Sequence, residues 1–251
     1  MLSDALARPH TSLAPIASPV SPIAVVVVCR NALAALQRTL ASLAGLADPR
    51  LRVIVIDGAS GDGTPAFLLA GAGALFHARS EPDGGIYDAM NKGWQAAPAD
   101  AHVLYLGAGD LLLQVPVDAA LHDAQGRPHP VVIGQVSIGR QAFRSRWGGE
   151  MRLRNTAHHQ ALLVHKSVSP QPPFDSSLRV YADWDFNLQL LRRGVVAHAV
   201  DSLRAVAEPG GASWHHDLAE IRAVASRHGG PLTGWAAWAL NRVSLWRRQL
   251  G

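Results

Sequence analysis

Two short apolar runs constrain this chain more than any other feature. Ile23–Cys29 reads Ile-Ala-Val-Val-Val-Val-Cys, and Leu51–Asp57 reads Leu-Arg-Val-Ile-Val-Ile-Asp. A strand with one wet face alternates polar and apolar residues. A run that is apolar at nearly every position is buried on both faces, as strands are inside a parallel sheet. Between the runs, Leu33, Leu36, Leu40 and Leu43 recur at helical spacing, which predicts a helix over 32–43 with Asn31 as its cap. Thr64 and Pro65 suit the cap and first residue of a second helix. Positions 75–78 and 102–106 read as a third and a fourth strand. Strands alternating with helices predict an α/β fold with a mostly parallel central sheet and right-handed crossovers. Asp57 and Asp110 fall where strands end, and open α/β sheets bind ligands at that carboxyl edge. The first half lacks both G-x-G-x-x-G and G-x-x-x-x-G-K-[ST], which argues against a dinucleotide Rossmann fold and a P-loop hydrolase.

A chain of 251 residues that is 48% hydrophobic has material for one large domain or one domain with a small appendage. Its formal charge of +4 is mild, and only Lys92 and Lys166 are lysines. Arginine favours planar anions such as phosphate. The single cysteine, Cys29, excludes an internal disulfide and fits a reducing compartment. No apolar run approaches the roughly 20 residues of a membrane-spanning helix. Residues 1–22, rich in Pro, Ala and Ser, lack a continuous apolar core and read as a disordered tail rather than a signal peptide.

Chemistry-capable residues are densest in the stretch Ser-Glu-Pro-Asp-Gly-Gly-Ile-Tyr-Asp-Ala-Met-Asn-Lys-Gly, at 80–93. Pro82 stiffens its approach, Gly84 and Gly85 permit angles that a Cβ forbids, and a helix starts near Ile86. Glycine amides at a helix start suit phosphate. Further on, 131–138 and 141–145 pair as a hairpin, whereas 118–130 reads as loop. His158 and His159 enter an apolar strand, where adjacent side chains point to opposite faces; this favours pocket lining over a metal pair. Asp183 and Asp185 open a helix that Gly194 ends, as helix-dipole partners or with one acting as a general base. Asp217 with Glu220 resembles a capping box. The segment 230–251 holds Trp235, Trp238 and Trp246 with Arg242, Arg247 and Arg248. Such an amphipathic helix lies on an anionic membrane surface or packs on the domain with its arginines solvated.

With these residues assembled, the chain resembles a family 2 glycosyltransferase of the GT-A fold, in its bacterial polysaccharide branch. The likeness runs from about 23 to 229. The first strand with Arg30-Asn31 resembles the family's opening strand. Val55-Ile-Asp-Gly-Ala-Ser-Gly-Asp-Gly-Thr64 is similar to its V-D-x-x-S-x-D-G-T signature. The 80–93 stretch, His159-Gln160 and Ala182-Asp-Trp-Asp185 match three further motifs in order.

The resemblance implies a nucleoside-diphosphate sugar donor and a glycan or lipid-linked acceptor, with no nucleic-acid partner. Asn31, Asp57, Ser60, Asp62, Asp83, Gly84, Asp88, Asn91 and Lys92 would line the donor side. His159, Gln160 and Asp185 would line the acceptor pocket. Asp183 would deprotonate the acceptor hydroxyl, giving inversion. Asp110 would hold a divalent cation, Mg²⁺ or Mn²⁺, whose oxygen ligands and charge suit a departing diphosphate. Gly107-Ala-Gly-Asp110 departs from the family, which usually carries Asn or Asp within this motif. Weak metal binding is then expected, or a site completed by His215 or His216. The resemblance also implies a cytoplasmic enzyme, peripheral on the inner membrane. Three rivals stand beside it. The thinned metal motif fits a non-catalytic nucleotide- or glycan-binding domain. Sugar-1-phosphate nucleotidyl transfer needs a glycine- and arginine-rich first loop that Arg30-Asn-Ala-Leu does not provide. A metallohydrolase built on His158, His159 and Asp185 meets the adjacent-histidine objection.

Overall fold

The computed structural model describes residues 20–71, 75–169, 171–210 and 216–249. Most of the expected tail and residues 211–215, His215 among them, lie outside these residues, as do the side chains of Trp246, Arg247 and Arg248. Strand β1 (Ile23–Cys29) is buried along its whole length. It pairs in parallel with β2 (Leu51–Asp57) on one side and with β4 (His102–Gly107) on the other. Alternation divides its side chains between two cores. Ala24, Val26 and Val28 join a cluster with Met90 and Trp94 of helix α3 (Ile86–Ala96). Ile23, Val25, Val27 and Cys29 join Leu36 and Leu43 of α1 (Leu33–Gly45). A Cβ on Gly93 would collide with Val26, so glycine sets how closely α3 lies on the sheet.

Beyond α2 (Thr64–Ala70), β3 (His77–Ser80) completes a parallel half in the order β3-β2-β1-β4. The second half is mixed. It contains β5 (Leu111–Gln114), β6 (Val131–Ile138), β7 (Gln141–Arg144), β8 (Leu162–His165) and β9 (Ala197–Ala207), and the nine-stranded sheet continues from β4 as β8-β6-β9-β5 with β7 paired to β6. The expected hairpin is β6–β7. Strand β9 runs for eleven residues because it pairs with both β6 and β5. Helix α4 (Ala182–Arg192) packs against α5 (Leu218–Gly229), and α6 (Pro231–Gln249) follows. Ala237 of α6 belongs to the same core as α3 and α4.

Several local expectations change in the folded chain. Asn31 does not cap α1. Its φ of 51° takes it out of the cap conformation, and Asp62 caps α1 from across the loop by accepting the Leu33 amide at 2.9 Å. Thr64 is the first residue of α2, and Asp62 also accepts its amide at 3.2 Å and its hydroxyl at 2.6 Å. Asp217 caps α5 as expected, but Glu220 reaches away to the amides of Arg179 and Val180 instead of closing the box. The adjacent histidines do not lie on a strand: His159–Ala161 is a 3-10 turn that precedes β8.

Strand β8 runs antiparallel to β4, pairing His165 with His102 at the amino edge of the sheet. The two imidazole rings meet edge to face at 4.9 Å. Nε2 of His102 donates to the His129 carbonyl at 2.8 Å, while its buried Nδ1 has no partner among the described residues. A proton there would be a buried N–H with no acceptor. Burial accordingly pushes His102 down to about 4, and burial also lowers His165 and His129. In the unfolded chain a histidine binds its proton below about pH 6.5. Stability due to neutral His102 is therefore fully present above that pH and is lost as pH falls toward 4, by about 3 kcal/mol. Thermal melts across this window should show Tm falling, and His102→Gln, which keeps the donor and removes the titration, should flatten the fall.

Candidate active site

The carboxyl edge of the parallel half carries three loops, and buried carboxylates hold them. At the end of β2, Asp57 is fully buried. Its carboxylate takes the hydroxyls of Ser60 and of Ser80 (2.7 Å), the Ser60 amide (3.0 Å) and the Cys29 thiol (3.6 Å). Burial alone would raise this carboxyl, but those donors outweigh it and hold the pKa below the ordinary value. Burial and the Asp57 charge push the Cys29 thiol far up, so it stays protonated. The loop above is tied to the β1 turn: Ser60 Oγ accepts the Asn31 amide at 2.6 Å, and Asn31 Oδ1 accepts the Gly61 amide at 2.8 Å. Asn31, Asp57 and Ser60 thus form one network, and Asp62 ties the same loop to the start of α1.

Residues 80–93 form the second loop. Asp83 lies over Gly58, where a Cβ would stand 2.5 Å from its carboxylate, and accepts the Gly85 amide at 3.0 Å. Asp88 accepts the Gly84 amide at 3.0 Å, which with Lys92 lowers its pKa. Lys92 bridges Asp88 (3.2 Å) and Glu81 (3.1 Å) and donates to the Pro82 carbonyl at 2.9 Å. Asn91 is placed elsewhere. Its amide group clasps the backbone of Phe174 through two bonds, 2.8 and 3.0 Å, so it anchors α3 instead of facing a donor.

The third loop follows β4. Asp110, 4% exposed, accepts the amides of Gly107 and Glu208, each at 2.8 Å, and the Gln160 side chain at 3.3 Å. Gly109 has φ of 104°, and a Cβ on it would press on the Glu208 side chain at 2.9 Å. Glycine is needed there on both counts.

The 3-10 turn before β8 joins this loop to α4. Because β8 runs antiparallel to β4, its entrance lies at the carboxyl edge. From that turn Gln160 reaches Asp110, and His159 Nδ1 stands 3.3 Å from Asp183 Oδ2. Burial lowers His159, but the hydrogen bond and charge of Asp183, with Asp110 beyond, outweigh it and raise its pKa. Asp183 also accepts the Trp184 amide (2.7 Å) and the Asn155 side chain (3.2 Å). Tyr87 of α3 donates to the Val180 carbonyl at 2.6 Å and lies 3.3 Å from Asp183 Oδ1. Burial and the Asp183 charge push that phenol well up, so it remains a donor.

Asp185 corrects the expected acceptor pocket. Two residues along a helix turn a side chain through about 200°, so Asp185 faces away from Asp183. It is fully buried against α5, paired with His228 at 2.9 Å and Arg227 at 3.1 Å, and it accepts Gln189 at 2.8 Å. Burial raises its carboxyl, but His228, Gln189 and Arg227 together bring it below the usual value. Of the histidines offered for a metal, His216 Nδ1 lies 3.2 Å from the Tyr181 hydroxyl, and His215 is outside the described residues. Among the described residues no group of three His, Cys, Asp or Glu is assembled around a metal position.

The sequence reading overlooked Tyr87, Asn155 and Glu208. Tyr87 sat inside the 80–93 stretch, one residue before Asp88, and its helical position was the available signal. Asn155 and Glu208 arrive from segments with no pattern of their own. Chemically, the site sets a buried carboxylate, Asp183, near a second, Asp110, with one short turn holding both.

The profile described as glycosyl transferase family 2 matches residues 24–185, more than half of the 251-residue chain. A PGL/p-HBAD biosynthesis glycosyltransferase of Mycobacterium tuberculosis is 29% identical over 176 residues, covering 66% of this chain and 68% of the relative. An uncharacterized glycosyltransferase of the same species is 43% identical over 79 residues, covering 31% of this chain and 30% of the relative. Among solved structures, Staphylococcus aureus TarS 1-349 in complex with UDP-GlcNAc aligns with a TM-score of 0.64 at 16% identity, over 81% of this chain and 65% of that one. This chain therefore spans somewhat less than two thirds of the TarS fragment. The mannosyltransferase PcManGT from Pyrobaculum calidifontis, in complex with GDP-Man and Mn²⁺, aligns with a TM-score of 0.56 at 18% identity, over 84% of this chain and 62% of that one. The fold is thus GT-A, and the profile match extends from the first strand through Asp183 and Asp185: the chain belongs to glycosyl transferase family 2 and is a glycosyltransferase.

Proposed function

We propose that this enzyme moves a sugar from a nucleoside-diphosphate donor to a hydroxyl of a glycan or lipid-linked acceptor in cell-surface polysaccharide synthesis, with inversion at the anomeric carbon. The supporting observation is the turn that grips Asp183 through His159 and Asp110 through Gln160. An acceptor hydroxyl is a poor nucleophile until a base takes its proton. Asp183 is that base. Asn155, His159 and the Trp184 amide fix its carboxylate, so the proton acceptor is oriented before the substrate arrives. A single base acting on the face opposite the leaving group gives one displacement and hence inversion.

The donor lies along the carboxyl edge. Asp57, Ser60, Asn31 and Asp62 act by holding the β2 loop in shape. Asp83, Gly84, Asp88 and Lys92 shape the glycine turn at the start of α3. PcManGT was solved with Mn²⁺ as well as its nucleotide sugar. The residues here fit such a cation, Mg²⁺ or Mn²⁺, through Asp110, a carboxylate oriented by two amides. One carboxylate suffices when substrate phosphates and water supply the other oxygens, as is usual for Mg²⁺. A cation held by Asp110 would stabilise the negative charge of the departing diphosphate. The single cysteine, Cys29, fits work in the reducing cytoplasm.

The test incubates the purified enzyme with UDP-, GDP- and dTDP-sugars and Mn²⁺, Mg²⁺ or EDTA, following release of nucleoside diphosphate. Metal-dependent release from one donor is expected; a chain that neither cleaves nor is thermally stabilised by any of them refutes the reading. With a working acceptor, Asp183→Asn should cut turnover by about 10²–10⁴, while donor-induced thermal stabilisation persists. Gln160→Ala leaves Asp110 in place but loosens it. It should raise the Mn²⁺ concentration for half-maximal turnover by roughly 10–100-fold, with little change at saturating metal.

A further inference from the structure

Helix α6 is amphipathic in the reverse of the usual sense. Its inner side carries Gly234 and Ala237, both buried, and Asn241, whose amide donates to the Leu153 carbonyl at 3.0 Å. A Cβ on Gly234 would collide with Ser226 of α5, so the two helices lie close together. The outward stripe is Leu232, Trp235, Ala236, Ala239 and Val243. These positions fall within about 120° of one another on a helical wheel. Leu232 is 86% exposed, Trp235 53% and Val243 47%. Apolar residues aligned on a solvent-facing stripe mark a contact surface, unlike single apolar residues scattered over an exterior.

The border of the stripe identifies the partner. Arg222 of α5 lies over the Trp235 ring at 4.6 Å, and Arg242 lies over Trp238 at 4.9 Å. From residue 221 to the end of the sequence there are five arginines and no Asp or Glu. Apolar and tryptophan side chains edged by arginine, on a helix with no Asp or Glu of its own, match an anionic lipid interface: the rings enter the headgroup layer and the guanidinium groups meet phosphate. We propose that the α5–α6 face docks this enzyme on an anionic membrane surface, with Leu232 and Trp235 inserted and Arg222 and Arg242 on the headgroups. Through the Asn241–Leu153 bond, α6 is tied to the segment that carries Asn155, and Asn155 touches Asp183. The helix that presents the outward stripe is thus bonded, on its inner side, to the segment that supports the base. Docking deepens the reading of the acceptor as lipid-linked, but vesicle binding and donor turnover fail separately.

The experiment sediments the full chain with vesicles of phosphatidylcholine, with and without phosphatidylglycerol. Pelleting is expected with the anionic vesicles, and it should weaken about fivefold for each of Arg222→Gln and Arg242→Gln. The double substitution Leu232→Ser with Trp235→Ser should weaken it tenfold or more, with donor hydrolysis unchanged because neither side chain makes any of the bonds that hold Asp110 and Asp183. Independently of any variant, lipids brominated along the acyl chain should quench part of the tryptophan emission. Absence of pelleting and quenching overturns the proposal, as does undiminished pelleting of the double serine variant. A concentration-dependent dimer of the parent that the serine substitutions dissolve also overturns it, by assigning the face to a second copy.

Discussion

Among the described residues four carboxylates, Asp57, Asp110, Asp183 and Asp185, are buried, and much of the working end depends on how each is satisfied. A buried carboxylate without partners costs several kcal/mol, so its donors are obligatory. Asp57 binds the loop after β2 to that after β3 through Ser60 and Ser80. Asp110 joins the ends of β4 and β9 through the Gly107 and Glu208 amides. Asp183 gathers α3, the segment before β8 and α4, through Tyr87, Asn155 and His159. Asp185 locks α4 to α5. Each acid holds two or more elements that are distant in sequence. Loops that would otherwise be adaptable are given fixed positions around the carboxyl edge.

The parallel half of the fold was legible because its signal is local. Strands β1 and β2 are continuous apolar runs, and the helices between strands carry leucines or glycine stops at the right period. The second half was less so. Strand β5 is four residues long, and β9 finds its extent only by pairing with both β6 and β5, a non-local event that leaves no period in the sequence. The histidine pair was misplaced on a strand because the 3-10 turn His159–Ala161 is defined by where β8 must enter antiparallel to β4. That direction is a property of the sheet, which His158 and His159 themselves do not encode.

Motif likeness identified Asp110, His159, Gln160 and Asp183, and these do converge. It could not separate residues that face a substrate from residues that hold those that do. Asp183 and Asp185 stand in one motif, yet helical geometry sends them to opposite sides of α4. Asn91 and Lys92 are adjacent, yet one clasps Phe174 and the other bridges Glu81 and Asp88. Asp62 takes the capping role that preference assigns to Asn31, because the loops after β1 and β2 lie side by side and Asp62 is the one within reach of the Leu33 amide. In each case the deciding fact is which backbone donor lies nearby, and that is known only once the sheet has brought the loops together.

Strand β8 explains why the site is held so firmly by so short a connection. It is four residues long and buried throughout. At its start the turn engages Asp183 and Asp110; at its end His165 accepts the Ser167 amide and its Nε2 donates to the Asp100 carbonyl at 3.2 Å. Lys166 then donates to the carbonyls of Trp94 and Ala97 at 2.8 and 2.7 Å, closing the end of α3. The strand is thus fixed at both edges of the sheet, to α3 at one and to the two site carboxylates at the other. Tyr87 returns from α3 to Asp183 and completes a ring of contacts: α3, Lys166, β8, His159, Asp183, Tyr87. A displacement of β8 along its axis would break bonds at both ends at once. The relative positions of Asp183 and Asp110 therefore rest on this ring as well as on the two side chains that touch them.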